Sequence, residues 1–370
     1  MNVLYPVLCY YPSQAGGPAN TLYWQNSALA ANNIGTITIS SNFGLAKSED
    51  LIELSRSCSY KDHKVFFTNK SFFSSFFLSV KQLKKCQVIH FSSVFYPITL
   101  PLLLVSWLLR KSIVISPRGE LYASALAVNE KQKSIWLKLI KLFQRKINFH
   151  ATNNYEAGLI KSFFPQAKST EVLANFIRLP EQLNCDVKNK FLFLGRINPI
   201  KNIDVLIDAF SKLAESKNQI ELVIIGSARL PAEKKYLAQL KEQVARLRLE
   251  SSIIFRGHLD GLEKQRELAS AKALVLPSKS ENFGNVVLEA LAQSTPVIAS
   301  IGAPWQLLKD CAAGAWVEPT ENSLYLAMQN ILNLDHANYI HMRSNALALC
   351  KKFDIESNIH LWIQYYKKMK

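Results

Sequence analysis

The sequence lacks the motifs that identify several large enzyme classes. It contains no G-x-G-x-x-G and no P-loop, and also no H-E-x-x-H, no G-x-S-x-G and no Asp-x-Asp. Dinucleotide-dependent and NTP-hydrolysing functions therefore lose their main support. Metal catalysis has no obvious ligand set either, so we expect no metal and no other cofactor.

Close cysteine pairs and long apolar runs are also missing. The six cysteines form no C-x-x-C pair, which argues against a disulfide framework or a zinc cluster and predicts reduced thiols. The longest apolar run, 94–109, is interrupted by Pro97 and Pro101 and falls short of the ~20 residues of a membrane-spanning helix. The first basic residue is Lys47, so the positive start of a secretory signal is absent. These features predict a cytoplasmic protein.

Acidic residues are scarce in the first half of the chain. The net charge is +16, and residues 1–180 hold 20 Lys+Arg against 8 Asp+Glu, while residues 181–370 hold 24 against 20. The basic half predicts an anionic partner, which is a membrane surface, an acidic ligand or nucleic acid. The plain alternative is a soluble protein with a basic surface.

The 370 residues favour two domains. Short β-branched or aromatic runs alternate with helical stretches, as in parallel sheets covered by helices on both faces. The alternation stops at 175–188 and then restarts, which predicts α/β domains at 1–180 and 181–352, followed by a C-terminal helix within 353–370. The first strands predicted are 3–9, 35–40, 64–68, 87–91, 112–116 and 149–152, and the second series is 190–194, 220–225, 252–255, 273–276 and 296–299. Ligands of such sheets bind beyond the carboxyl ends of the strands.

Two loops at such positions suit phosphate groups. Gly195 and Arg196 directly follow a predicted strand, and Lys201 lies near the start of the next helix. Two cations at a helix start suit a phosphate, although basic residues are also common in loops. Gly16 and Gly17 follow the first strand and form a loop of backbone N–H groups that suits an anion or serves as a plain turn.

The segment 277–290 carries two carboxylates. Glu281 lies in the loop after a predicted strand, and Glu289 lies about one turn into an otherwise apolar helix. A carboxylate on a buried helix is costly unless it is hydrogen-bonded, and sugar hydroxyls are natural donors to it. Gly284 allows a close approach of the backbone to a ligand. The alternative is that Glu289 pairs with a neighbouring lysine or caps backbone groups.

In this order, these segments resemble the retaining glycosyltransferases of family four. The resemblance covers essentially the whole chain and is strongest over 190–320. The segments Pro117-Arg118-Gly119 and His150-Ala151-Thr152…Glu156 resemble the branch that builds bacterial lipopolysaccharide, O-antigen or capsule chains. The resemblance implies the GT-B fold, in which two doubly wound Rossmann-like domains face each other across a cleft and the last helix crosses back onto the N-terminal domain.

The resemblance also implies roles for matching residues. Arg196 and Lys201 would hold the donor diphosphate, Glu281 the sugar hydroxyls and Glu289 the ribose. The N-terminal domain would receive the acceptor. The remaining donor-binding candidates are Gly16, Gly17, Gly195, His258, Asn282, Phe283, Gly284, Asn285 and Val286, and the candidates for the acceptor site or the cleft are His90, Arg118 and Glu120. The chain departs from the family pattern at Ser92, at Asn282, at Gln293-Ser294-Thr295 and at Gly302–Gln306.

The function expected from the resemblance is metal-independent, retaining transfer of a hexose-type sugar from a nucleotide diphosphate sugar to a saccharide acceptor. The acceptor is expected to be lipid-linked and the pathway to be bacterial surface polysaccharide synthesis. One alternative is a nucleotide-sugar epimerase, for which only Glu120 is a well-placed further acid or base. Another is a basic nucleic-acid-binding protein, but no RRM, KH or zinc-finger pattern is present, so no nucleic acid is expected.

Two segments of the basic half predict peripheral binding to the inner face of the cell membrane. Residues Phe72–Leu78 are rich in phenylalanine and precede three lysines, and Lys131–Lys146 is a basic helical stretch. Aromatic side chains insert shallowly into a bilayer surface, and clustered cations attract anionic lipids. The alternative is that residues 72–80 form a buried core helix.

Overall fold

The computed structural model describes residues 1–13, 17–45, 57–60, 63–69, 72–216 and 219–369. The strands are β1 Asn2–Val7, β2 Gly35–Ser41, β3 Ser57–Tyr60, β4 His63–Thr68, β5 Val88–Phe91, β6 Ser112–Ile115, β7 Ile147–Ala151, β8 Ser169–Val172, β9 Lys190–Leu194, β10 Glu221–Ile225, β11 Ile253–Gly257, β12 Ala273–Leu276, β13 Val297–Ser300 and β14 Gly314–Val317. The helices are α1 Gly17–Ala31, α2 Phe72–Leu83, α3 Thr99–Leu108, α4 Ala123–Leu126, α5 Glu130–Lys141, α6 Asn154–Phe163, α7 Ile203–Ser216, α8 Pro231–Arg246, α9 Gly261–Ala269, α10 Asn285–Ala292, α11 Leu307–Asp310, α12 Glu321–Leu332, α13 His336–Lys351 and α14 Ile355–Lys367.

The chain folds into two compact units. Unit 1 comprises Met1–Arg178 and Asp354–Lys370, and unit 2 comprises Leu179–Phe353. The unit 1 sheet has the order β3-β4-β2-β1-β5-β6-β7-β8, in which β3 runs antiparallel to β4 and the other pairs are parallel. The unit 2 sheet has the order β11-β10-β9-β12-β13-β14 and is parallel. The expected α/β fold class is therefore confirmed.

Burial on both faces of the sheets explains the apolar runs. All five residues of β9 are buried, including Lys190, whose Nζ lies 2.6 Å from Oε2 of Glu267. Helix α7 turns one apolar face toward this sheet through Leu206, Phe210 and Leu213, which are buried in the same cluster as Phe191. A helix with one apolar face and a strand apolar on both sides are the pattern of a parallel sheet covered by helices.

Helix α3 lies within the apolar stretch 94–109 that the two prolines interrupt. Thr99–Leu108 is helical although it contains Pro101. Pro101 occupies the first turn, where backbone N–H groups have no partner within the helix, so its missing N–H costs little there. No helix among the described residues is long and apolar enough to span a membrane.

The C-terminal helix α14 packs in unit 1, as the expected fold requires. Its first residue, Ile355, donates a backbone hydrogen bond to the carbonyl of Ile177 (2.8 Å). Trp362, Tyr365 and Tyr366 are buried. The last helix thus belongs to the core of the first unit, although the whole of unit 2 precedes it in the sequence.

Candidate active site

The carboxyl edge of the unit 2 sheet brings three loops together. Because β9, β12 and β13 are parallel, the residues that follow them emerge on one edge. The backbone N–H of Lys279 donates to the carbonyl of Ile200 (2.8 Å), and that of Glu281 donates to the carbonyl of Gly302 (2.8 Å). These bonds fix the loop after β12 between the loops after β9 and β13.

Lys201 and Glu281 form an ion pair at the centre of this edge. Their side chains are 16% and 17% exposed, so the pair is largely shielded but still reachable from solvent. Lys201 ends a short 3-10 turn, Pro199–Lys201, which the side chain of Asn198 caps by accepting a hydrogen bond from the N–H of Ile200 (3.0 Å). The predicted diphosphate cation and the predicted sugar-binding carboxylate therefore lie side by side.

Glycines are required beside this pair. Gly284 has φ +80° and precedes α10, and a Cβ atom there would lie 3.2 Å from Cγ of Glu281. A Cβ on Gly302 would lie 2.4 Å from the carbonyl oxygen of Ser278. Trp305 donates its indole N–H to the carbonyl of Phe283, which fixes the turn before α10. A side chain at Gly302 would overlap the backbone of Ser278, and one at Gly284 would combine a strained positive φ with a close contact to Glu281.

Glu289 has a partner that the sequence interpretation left as an alternative. Its Oε2 lies 3.0 Å from Nζ of Lys264 on α9, and the two side chains are 14% and 19% exposed. The lysine pairing that the sequence left open as an alternative is therefore present, and the ammonium group of Lys264 compensates the charge of the carboxylate. The contact with Lys264 does not test the expected role of Glu289 in binding the ribose, which stays a prediction.

The other predicted donor residues occupy positions around the same edge. Gly195 follows β9, and a Cβ there would lie 3.9 Å from Cε of Lys201. Arg196 is exposed, and His258 is exposed after β11 with its Nε2 3.9 Å from Oδ2 of Asp260. The remaining members are either buried (Phe283) or half-buried (Asn282, Asn285 and Val286). In unit 1, Gly17 begins α1, whereas Gly16 lies outside the described residues.

His90, a candidate for the acceptor site or the cleft, is fully buried in unit 1. Its Nδ1 lies 2.7 Å from the hydroxyl of Tyr366, and its Nε2 lies 2.6 Å from Oγ of Ser116. The same Oγ lies 2.7 Å from Nδ1 of His150, whose Nε2 lies 2.9 Å from the carbonyl of Leu173. His90 therefore belongs to a buried hydrogen-bond chain that runs from Tyr366 to the carbonyl of Leu173, and it is not exposed at the surface.

The carbonyl of Leu173, at the end of this hydrogen-bond chain, determines which ring nitrogen of each neutral histidine carries the proton. A carbonyl only accepts, so neutral His150 carries its proton on Nε2 and its Nδ1 accepts from Ser116. Ser116 then accepts from Nε2 of His90, and Nδ1 of His90 accepts from Tyr366. Burial, His150 and Arg118 hold the pKa of His90 well below its usual range, and burial together with Arg118 lowers the pKa of His150 to about 3. Both imidazoles are thus neutral at pH 7.

Arg118 has an unsatisfied guanidinium in this region. Its Nη1 donates to Oδ1 of Asn175 (3.2 Å), whereas its buried Nε and Nη2 have no hydrogen-bond partner among the described residues. Burial lowers its pKa. The nearby carboxylate of Glu156 accepts instead from the backbone N–H groups of Gly119 (2.6 Å) and Thr152 (2.8 Å). One edge of the guanidinium is therefore left for another acceptor.

Glu120, the third predicted acceptor residue, holds a loop. Its carboxylate accepts from Oγ of Ser93 (2.6 Å) and from the backbone N–H groups of Val94 (2.5 Å) and Phe95 (3.3 Å). Burial raises its pKa, although these donors oppose the shift. The carboxylate thus orders the segment after β5.

Sequence reasoning missed several groups of these sites. Lys264 pairs with Glu289 from 25 positions away, and Tyr366 reaches His90 from 276 positions away. Local sequence patterns do not predict contacts between side chains that are so far apart in the chain. Gly302 was noted only as a departure from the family pattern, yet its closeness to Ser278 shows why glycine stands there.

Comparison with known proteins adds a family match. Residues 176–346, just under half of the chain, match the family "Glycosyl transferases group 1". An uncharacterized glycosyltransferase of Methanocaldococcus jannaschii is 36% identical over 135 residues, which are 36% of this chain and 33% of that protein. The N-acetylgalactosamine-N,N'-diacetylbacillosaminyl-diphospho-undecaprenol 4-alpha-N-acetylgalactosaminyltransferase of Campylobacter jejuni is 30% identical over 207 residues, 53% of each chain. The matches thus span from about a third to about half of these relatives' lengths.

Solved structures match over the whole chain. The sucrose-phosphate synthase of Thermosynechococcus elongatus covers 100% of this chain and 99% of its own, with a TM-score of 0.79 and 18% identity. The Anabaena protein HepE in complex with UDP covers 100% of both chains, with a TM-score of 0.78 and 17% identity. At such identities the likeness shows the fold. Together the comparisons support the expected GT-B fold for the chain and the family Glycosyl transferases group 1 for residues 176–346.

Proposed function

We propose that this protein is a metal-independent, retaining glycosyltransferase that moves a hexose-type sugar from a nucleotide diphosphate sugar to a saccharide acceptor. The observation that carries the proposal is the Lys201–Glu281 pair at the carboxyl edge of the unit 2 sheet, inside the stretch that matches the family. Lys201 and the exposed Arg196 face the diphosphate, while Glu281 accepts from the sugar hydroxyls. Glu289 accepts from the ribose.

The chemistry of this arrangement is electrostatic. When the bond between the sugar C1 and the donor phosphate oxygen breaks, positive charge builds on the ring and negative charge on the diphosphate. Arg196 and Lys201 stabilise the leaving group, and Glu281 lies beside Lys201 where the positively charged ring needs an anion. The acceptor hydroxyl oxygen forms the new bond to C1 on the face that the diphosphate leaves, and the hydroxyl proton passes to the departing diphosphate oxygen.

The test is a nucleotide screen followed by product analysis. One of UDP, GDP, ADP and CMP should raise the melting temperature, because a ligand at 100 times its Kd stabilises the native state by about 2.7 kcal/mol. The matching nucleotide sugar and an oligosaccharide acceptor should then yield a product with the anomeric configuration of the donor. Activity should persist in EDTA. The absence of any nucleotide response would overturn the proposal, and an inverted product or a strict Mn²⁺ requirement would overturn its mechanism.

The epimerase alternative loses its best residue. It needs an acid or base in unit 1, and Glu120 was the candidate. The Glu120 carboxylate is occupied by three donors and orders the loop after β5. Product analysis with and without acceptor separates the two functions, because an epimerase converts the donor without any acceptor.

We further propose a lipid-linked acceptor and a role in bacterial surface polysaccharide synthesis on the cytoplasmic face of the membrane. The name of the Campylobacter relative gives that protein a diphospho-undecaprenol acceptor. The free edge of the Arg118 guanidinium suits an anionic group of the acceptor. Exposure also supports attachment through α2, because Phe73 and Phe77 are 67% and 64% exposed. The alternative of a buried core helix over 72–80 holds for one face only, because Ser75 and Ser79 are buried while Phe73 and Phe77 are exposed.

A further inference from the structure

Unit 1 contains a cavity at the sheet edge opposite to the loops that carry Arg118 and Glu120. The cavity measures about 740 Å³ and lies where β6 and β7 begin. It is lined by Trp107, Leu108, Arg110, Lys111, Ser112, Ile113, Arg145, Lys146 and Lys168. Because parallel strands place their amino ends on one edge and their carboxyl ends on the other, this cavity is separate from the proposed acceptor residues.

Five of the nine lining residues are cations, and none is acidic. None of the five forms an ion pair with any residue that the structure describes. Two of them are held in place by neutral acceptors: Nζ of Lys111 donates to the carbonyl of Cys86 (2.7 Å), and Nε of Arg145 donates to Oε1 of Gln166 (3.1 Å). Gathering like charges without counter-ions is unfavourable, and an anion in the cavity relieves the repulsion.

Apolar side chains line the mouth of the same cavity. Trp107 and Leu108 are 44% and 63% exposed, and Trp107 stands edge-on to Phe143 with ring centroids 5.9 Å apart. Leu142, next to Phe143 in the chain, is 77% exposed. A free phosphate ion gains nothing from such a rim. An amphipathic anion, whose phosphate enters among the cations while its acyl chains lie against tryptophan and leucine, matches both parts.

We propose that this cavity binds the phosphate headgroup of an anionic phospholipid and thereby docks unit 1 on the membrane surface. The inference rests on the proposed membrane attachment and adds to it a headgroup site distant from the substrate-binding loops. It identifies Lys146 and Lys168 as specific lipid contacts, because both are exposed and line the cavity.

Two charge-matched variants of the full chain test the proposal. Lys146→Glu with Lys168→Glu alters the cavity, whereas Lys234→Glu with Lys235→Glu makes the same change of charge on exposed positions of α8 in unit 2. Co-sedimentation uses vesicles of phosphatidylcholine with one quarter phosphatidylglycerol, at 0.1 M salt. The cavity variant should bind at least about tenfold more weakly than wild type, and the control variant within about twofold of it. Lys146→Gln with Lys168→Gln should give an intermediate loss.

Other results would overturn the headgroup site. Equal losses in both reversed variants would show that only total charge matters, and unchanged binding of the cavity variant would show that the cavity is not used. If inorganic phosphate or RNA binds at the cavity while the protein does not bind vesicles, the cavity is a site for another kind of anion. The nucleotide-induced melting shift is measured on the same samples. It reports the donor site of unit 2, so a failure of the proposed glycosyl transfer is distinguishable from a failure of lipid binding.

Discussion

Lys201 and Glu281 form an ion pair between two closely packed loops. In the proposed function, this pair would hold a cation next to the leaving diphosphate without exposing it fully to water, where its field would be screened. A surface pair of the same unit, Lys212 with Glu321, has side chains that are 49% and 41% exposed and offers a comparison. Lys201 and Lys212 are both paired with a glutamate, but Lys201 is largely shielded from solvent and Lys212 is exposed.

We therefore predict that Lys201→Ala lowers kcat/KM by about 100-fold or more, as removal of one transition-state donor does elsewhere. Lys212→Ala should stay within about twofold of wild type, because its pair contributes little at the surface. Initial rates with the nucleotide sugar identified by the screen measure both effects. Equal activities of the two variants would remove Lys201 from the catalytic machinery.

For Glu289, the contact with Lys264 changes the expected effect of a substitution. Glu289→Ala should weaken binding of the nucleotide, but it should not raise the melting temperature, because it strands the half-buried ammonium of Lys264 at a cost of about 1–3 kcal/mol. Glu321→Ala, which removes the exposed partner of Lys212, is the control. Calorimetric titration of the nucleoside diphosphate checks the binding. An unchanged Kd for Glu289→Ala would contradict the ribose role.

The neutral histidines of unit 1 make stability depend on pH. In the folded protein the pKa of His90 lies well below 6.5 and that of His150 is about 3, so below pH 6.5 the unfolded chain binds protons that the native chain does not. The free energy of unfolding should therefore fall as the pH drops below 6.5, by roughly 1.4 kcal/mol per pH unit for each histidine. His90→Gln should remove one such contribution from the slope. Urea unfolding at pH 7, 6 and 5 measures how the free energy of unfolding of each protein depends on pH. The control is His341→Gln, at an exposed position. Identical slopes for wild type, His90→Gln and His341→Gln would contradict the conclusion that buried His90 is neutral.

At the scale of elements, helix α14 is fastened to the unit 1 sheet by polar contacts as well as by packing. The hydroxyl of Tyr366 lies 2.7 Å from that of Tyr5 on β1 and 2.7 Å from Nδ1 of His90 on β5. Gln25 on α1 donates to it as well (3.2 Å). One hydroxyl thus joins four elements, and the buried groups around it depend on it for their hydrogen bonds.

Tyr366→Phe is therefore expected to destabilise the protein by about 1–3 kcal/mol, since Nδ1 of His90 and the hydroxyl of Tyr5 lose a partner inside the core. Tyr155→Phe, at a residue that is 64% exposed, removes a hydroxyl from the surface and should change the stability by less than about 0.5 kcal/mol. Chemical denaturation of both variants gives the comparison. A Tyr366→Phe protein as stable as Tyr155→Phe would show that the chain of hydrogen bonds contributes nothing.

The elements also show what the sequence predicts and what it leaves out. Strand β9, helix α7 and the loop of Glu281 were predicted within a few residues because their signals are local: apolar runs, one-sided periodicity and turn residues. Helix α3 was missed because the position of Pro101 within the first turn depends on where the helix begins. The pairing of Glu289 with Lys264 and of His90 with Tyr366 depends on tertiary packing, which no local pattern contains.

At the scale of the whole molecule, charge and exposed apolar surface are distributed unevenly. The excess of basic residues lies in residues 1–180, which contribute nearly all of unit 1. Sixteen of the 23 large apolar side chains that are exposed among the described residues also belong to unit 1. A surface that is both basic and apolar suits an anionic bilayer, and unit 2 has less of both features.

Membrane attachment therefore predicts separate contributions from charge and from aromatic side chains. Wild type should bind anionic vesicles and lose that binding as salt rises from 0.1 M to 1 M, because the screening length falls from about 10 Å to about 3 Å. Phe73→Ser with Phe77→Ser should weaken binding about tenfold and leave the salt dependence in place, since the lysines remain. Leu230→Ser with Leu262→Ser, at two exposed positions of unit 2, should change nothing. Equal recovery with neutral and anionic vesicles, or none at 0.1 M salt, would show that unit 1 does not bind membranes through its charge.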